Sequence, residues 1–95
     1  MIQAASWTLK EAVRFAEGRV ASTSWESYPI LKFSEVPEID IRLIDARGEP
    51  PAGLGEVAQG PTAAAIGNAV ARALNARIRD LPLTRERIAA ALLGD

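Results

Sequence analysis

The sequence predicts a small α+β domain, and three observations carry that expectation: an alternating run over residues 38–45, a turn signal at Glu17-Gly18, and an alanine-rich helical stripe after Pro61. Alternation puts Ile39, Ile41 and Leu43 on one face and Asp40 and Arg42 on the other, the pattern of a half-buried strand. A mostly antiparallel sheet packed against two or three helices buries both kinds of stripe. With 95 residues, a single domain over 1–95 is expected.

The elements follow in chain order. The stretch "MIQAASWTLKEAVRF" begins with helix-friendly residues, Ala12 to Phe15 could then alternate as a strand before Glu17-Gly18, and periodicity leaves the boundary between the two open. Beyond that pair Val20, Ser22 and Ser24 alternate with Ala21, Thr23 and Trp25, so a hairpin pivoting on Glu17-Gly18 is expected. Pro29 and Pro37 remove backbone donors, which makes the chain between them extended or irregular. After the 38–45 strand comes a Gly/Pro loop containing Gly53-Leu54-Gly55-Glu56. Two glycines beside a lone carboxylate suggest a tight turn that uses backbone conformations closed to other residues.

Gly60-Pro61 marks a helix start at about Pro61, since proline suits the first helical position. Ile66, Ala69, Val70, Ala73 and Leu74 follow the spacing of a buried helical stripe. Ala64, Gly67 and Ala71 form a second stripe, small enough for another backbone to approach. Asn75 can close the helix in the left-handed conformation. Residues 77–83 read as extended chain, and Thr84 is placed to cap a last helix that carries Ile88, Ala91 and Leu92 up to Gly94.

Composition removes several function classes. With no cysteine and no histidine, a disulfide framework, a zinc finger, a thiol nucleophile and an imidazole base are all absent. The net charge is −1 and only Arg77, Arg79, Arg85 and Arg87 cluster, so no nucleic-acid partner is expected. No apolar run reaches the ~20 residues of a membrane span, so no membrane insertion is expected. No charged segment leads into an apolar one at the N-terminus, so no export signal is expected in these residues. Cytoplasm and periplasm both stay open.

The segment "PAGLGEVAQGPTAAAIGNAV", followed by "ARIRDLPLT", resembles the C-terminal portion of the molybdenum-binding large subunit of the xanthine dehydrogenase and aldehyde oxidase family. The shared features are a Gly-x-Gly-Glu turn, a proline before an alanine-rich helix with Asn-Ala, and a Leu-Pro-Leu-Thr segment. Upstream, "SWESYPILKFSEVPEIDIRLI" is similar to the isoquinoline 1-oxidoreductase beta branch of that family.

The resemblance implies that Glu56 faces a molybdenum atom held by a pyranopterin. There it would act as general base, and not as a metal ligand, in the oxidative hydroxylation of an N-heteroaromatic or aldehyde with water as oxygen source. Gly53 and Gly55 would let the backbone approach that cofactor, and the amides near Gly60 to Ala63 could face an anion. The implied partners are the remainder of the large subunit and an iron–sulfur subunit. The family's glycine-rich cofactor segments and iron–sulfur domain lie outside these residues, so the isolated chain is expected to hold no molybdenum and to be inactive. Gln3 could match a family glutamine near the cofactor, although the Glu-Gly-Gly that precedes it in the family is missing here.

Trp25 and Tyr28 could line a channel for an aromatic ring, while the packing reading has them fill a core. Two alternatives to the fragment reading are a stand-alone binding module derived from the same fold and a small enzyme in its own right. A helix with two apolar faces needs cover on both sides, so in isolation a homodimer is expected.

Overall fold

In the computed structural model, residues 1–94 are described, and they form three helices and one two-stranded antiparallel sheet. The order is helix α1 (Ile2–Leu9), strands β1 (Phe15–Ala16) and β2 (Arg19–Val20), a 3-10 turn (Phe33–Glu35), then helices α2 (Gln59–Leu74) and α3 (Arg85–Leu93). The α+β class expected from the sequence is what forms.

The interior centres on α1. Ala4, Ala5, Ser6 and Thr8 are buried there, and Leu83 is the remaining buried large apolar residue among the described residues. Small side chains on one face let α2 and the loops close in on the helix. Its two buried hydroxyls are both used: Thr8 Oγ1 donates to the Ala4 carbonyl at 2.6 Å, and Ser6 Oγ accepts the Leu31 amide at 3.0 Å. The Leu83 amide donates to the Thr8 carbonyl at 2.7 Å, which ties the segment before α3 to the same helix. Polar groups this deep stabilise only when paired, so these bonds fix the paths of both crossing segments.

The hairpin turns where expected. Glu17 and Gly18 sit at φ 50° and 73°, and Phe15 pairs with Val20 and Ala16 with Arg19. One backbone bond continues past the ladder, from the Ala21 amide to the Arg14 carbonyl at 2.8 Å, and a side chain then takes over, with Ser22 Oγ accepting the Arg14 amide at 2.8 Å. Ser24 and Ser27 then hydrogen-bond to each other's backbone and close a turn instead of prolonging β2.

The expected 38–45 strand does not form. Those residues belong to no sheet of the described residues, since the only strands are those of the hairpin and no neighbouring edge lies beside them. The segment is nonetheless locally extended. Arg42 holds Asp40 at 2.9 Å, and contact between residues two apart is what an extended chain gives, whereas Arg47, which holds Asp45 at 2.6 Å, already lies in the turn that the Glu49 amide closes on the Ala46 carbonyl.

Helix α2 begins two residues earlier than expected, at Gln59, so that Pro61 lies inside its first turn, where its missing N–H costs nothing. Asn75 closes it at φ 50°. None of its residues is buried: of the expected stripe Ile66 and Val70 are half-buried, while Ala69, Ala73 and Leu74 are exposed, so the face toward α1 does not become interior. Thr84 Oγ1 accepts the Arg87 amide at the start of α3, and Gly94 ends that helix at φ 81°. Among the described residues α3 packs on no other helix or strand.

These features add up to an open molecule. The radius of gyration is 16.7 Å, against about 12.4 Å for a close-packed domain of this length. The accessible surface is 8105 Å², against about 5,300 Å² for a folded monomer of the same mass.

Candidate functional site

Glu56 stands in the turn that feeds α2. The backbone bends at Gly55 and Glu56, the Gln59 amide donates to the Glu56 carbonyl at 3.1 Å, and the helix starts at that residue. Its side chain is exposed, and among the described residues its carboxylate takes part in no hydrogen bond and no salt bridge. A hydrogen bond from Lys10, with a second from the Lys32 amide, holds Glu35 below the ordinary glutamate range, and Glu11 pushes the Tyr28 hydroxyl up by accepting its proton at 2.8 Å.

Gly53 and Gly55 do not adopt the glycine-only conformation that the sequence suggested. In this loop that conformation falls to Gly48, at φ 94°. A Cβ built at Gly53 or at Gly55 would meet nothing of this chain within 4 Å. Neither the backbone nor the packing of this chain therefore requires glycine at these two positions.

The start of α2 offers little to an anion. The Gln59 amide is taken by Glu56, Pro61 has none, and the Thr62 amide donates to the Ala58 carbonyl, which also accepts the Thr62 hydroxyl. Gly60 alone is left of the first three positions, because the turn before the helix consumes the rest.

Gln3, Trp25 and Tyr28 come together elsewhere. With Ser6, Glu11 and Ile30 they line an open hollow of about 470 Å³ beside α1, and neither Glu56 nor the two glycines belong to it. Trp25 is 77% exposed, so the expectation that it fills a core is corrected. The short Ser24–Ser27 turn holds it at the surface. Tyr28 is half-buried, held by Glu11. Sequence reading missed Ser6 and Glu11, because a hydroxyl on a short helix and a carboxylate just past its end carry no mark of the distant groups they bind.

Among the described residues no group of three or more Asp or Glu side chains is placed to hold a metal ion, and no helix is long and apolar enough to cross a membrane. What the turn offers chemically is a single carboxylate, free of internal partners and open on the side of the two glycines.

No family model matches the chain, and no solved structure matches it. Curated relatives do. Over its whole length it is 50% identical to one of the nicotinate dehydrogenase subunits of Pseudomonas putida, of which it covers 8%. It is 35% identical over 83 residues to the beta chain of isoquinoline 1-oxidoreductase from Brevundimonas diminuta, covering 10% of that protein. It is 32% identical over 78 residues to a membrane-bound aldehyde dehydrogenase of Gluconacetobacter polyoxogenes whose name carries pyrroloquinoline quinone, again covering 10%. The chain thus spans a tenth or less of these relatives' length, and over that span it resembles the molybdenum hydroxylases.

Proposed function

We propose that this chain is the C-terminal portion of the molybdenum-binding large subunit of an N-heteroaromatic or aldehyde hydroxylase, and that Glu56 is the general base of its reaction. The observation that carries the proposal is the unengaged Glu56 carboxylate in a glycine-flanked turn, in a chain half identical to a nicotinate dehydrogenase component. Two of the three relatives are named for the oxidation of N-heteroaromatic rings and the third for aldehydes.

The residues fit a molybdenum–pyranopterin cofactor as its neighbour and not as its ligand. Space is open at Gly53 and Gly55, and no cluster of ligating side chains among the described residues competes for the metal. When bound, that cofactor supplies the redox chemistry of hydroxylation with water as the oxygen source. Glu56 accepts the proton released as the substrate carbon gains oxygen, a task suited to a carboxylate that no internal cation has already claimed. Gly53 and Gly55 keep the chain thin where the cofactor approaches. One domain over residues 1–95, the rest of the large subunit and an iron–sulfur subunit complete the proposed assembly.

The chain by itself is then inactive and holds no molybdenum, and its uncovered apolar surface drives it into a homodimer. Elemental analysis with about one metal per chain would overturn the first statement. Light scattering that gives the mass of one chain would overturn the second.

The experiment on the reaction replaces Glu56 by Gln in the full-length subunit assembled with its partner. Turnover is expected to drop by about 10²-fold or more, because general-base catalysis contributes ~10²–10⁴-fold. Cofactor content should stay constant. Unchanged turnover refutes the role.

A further inference from the structure

The segment that begins at Ile39 has the pattern of a strand and, among the described residues, no strand beside it. Ile41, Leu43 and Ile44 are 66%, 80% and 92% exposed, which places three large apolar side chains in water along one short stretch. The start of the segment is fixed: Pro37 and Ile39 line a groove of about 320 Å³ with Ile2, Ala5 and Ile66, so the chain leaves the α1 and α2 pair at a defined point. Past that point Arg42 Nε and Nη2 donate to Asp40 Oδ2 at 3.0 Å and 2.9 Å, a contact between residues two apart on the face that alternation sets opposite Ile41 and Leu43. An extended backbone with unpaired amides and an apolar face is a template for another strand.

We infer that residues 39–44 form a β-strand added to the edge of a sheet supplied by the remainder of the large subunit, an inference that rests on the fragment reading proposed above. Area selects this occupant over a second copy. The surface exceeds that of a folded monomer of this mass by about 2,800 Å². A standard interface covers only about 800 Å² of each partner, so a single self-contact leaves most of the excess wet. The chain accounts for 8–10% of its relatives' length, and the other nine-tenths is ample to cover it. Backbone pairing along the strand supplies register, and pockets for Ile41 and Leu43 in the opposing layer supply specificity.

Hydrogen exchange read by mass spectrometry on two samples, the full-length subunit and the 95-residue chain, tests the inference. In the full-length subunit at least every second amide from Ile39 to Ile44 is expected to slow by on the order of 10²-fold or more relative to the isolated chain. Free exchange of these amides in a full-length subunit that turns over normally would overturn the strand and leave the role of Glu56 standing. Equal protection in the isolated chain would show that the chain or its second copy already occupies the edge, and would overturn it as well. If Glu56→Gln retains full turnover while the amides are protected, the proposed function fails and the strand survives.

Discussion

Helix α1 and helix α2 have similar apolar content but opposite fates. Helix α1 is half the length of α2, eight residues against sixteen, yet it holds four of the buried residues, and loops from both ends of the chain bond to it. Helix α2 has two apolar stripes and no buried residue. The difference lies in the neighbours and not in helix propensity. Residues 28–35 and Leu83 cover α1 from within this chain, whereas α2 meets α1 and is only partly approached by the 37–40 and 77–79 segments. A helix that is apolar on two sides and has no buried residue leaves apolar surface open to further cover. Glu56 and the two glycines stand just before that helix, so the proposed site lies beside the less covered part of the molecule.

The widest test of this division is Gly55→Ala. Space around Gly55 is empty in this chain and its φ lies outside the left-handed region, so the stability of the chain alone should not fall. In the full-length subunit the added methyl meets whatever the turn faces, and a displaced Glu56 should lower turnover by on the order of 10²-fold. Equal turnover would show that nothing approaches the turn there.

The next contrast is between two leucine-sized residues. Leu83 is 4% exposed against α1 and Ile44 is 92% exposed. Truncating Leu83 to Ala should destabilise the chain by about 2–5 kcal/mol, a large part of the stability of any small domain. Ile44→Ala in the same chain should stay within about 0.5 kcal/mol. Denaturant melts followed by far-ultraviolet circular dichroism measure both. Equal losses would erase the distinction between a self-made core and a surface awaiting cover.

What the sequence disclosed divides along the same line. The Glu17-Gly18 turn, the Asn75 and Gly94 helix ends and the Thr84 cap were all legible, because each depends on a residue's own φ or on a hydrogen bond to the next turn. Pairing of the 38–45 segment was not, because a strand needs an edge beside it and alternation says nothing about where that edge comes from. The stripe on α2 failed as a predictor of burial for the same reason. Ser6 and Thr8 were missed in the opposite direction: polar residues on a short helix look like surface until their partners, Leu31, Ala4 and Leu83, are known. Glu56 lies between these cases. Its turn was visible, but the expected glycine-only backbone was not what formed.

The smallest effect expected is electrostatic and sits at the rim of the α1 hub. Lys10 Nζ lies 2.7 Å and 2.6 Å from the two Glu35 oxygens, and Glu35 also accepts the Lys32 amide at 2.7 Å. The hydrogen bond from Lys10 does most to hold Glu35 below its ordinary range, followed by that amide. In the unfolded chain neither contact exists, so the unfolded state takes up a proton at a higher pH than the folded one. The stabilisation is therefore complete above the ordinary glutamate range and is lost as the pH falls through the lowered folded value. The pair is partly exposed, so the gain is modest and salt should weaken it further. Thermal melts of the chain and of Glu35→Gln across the acid range should converge at low pH and separate as the pH rises past the glutamate range. Parallel curves would mean that the contact orders the 3-10 turn against α1 without stabilising it, and that the hub rests on its buried hydroxyls and apolar contacts alone.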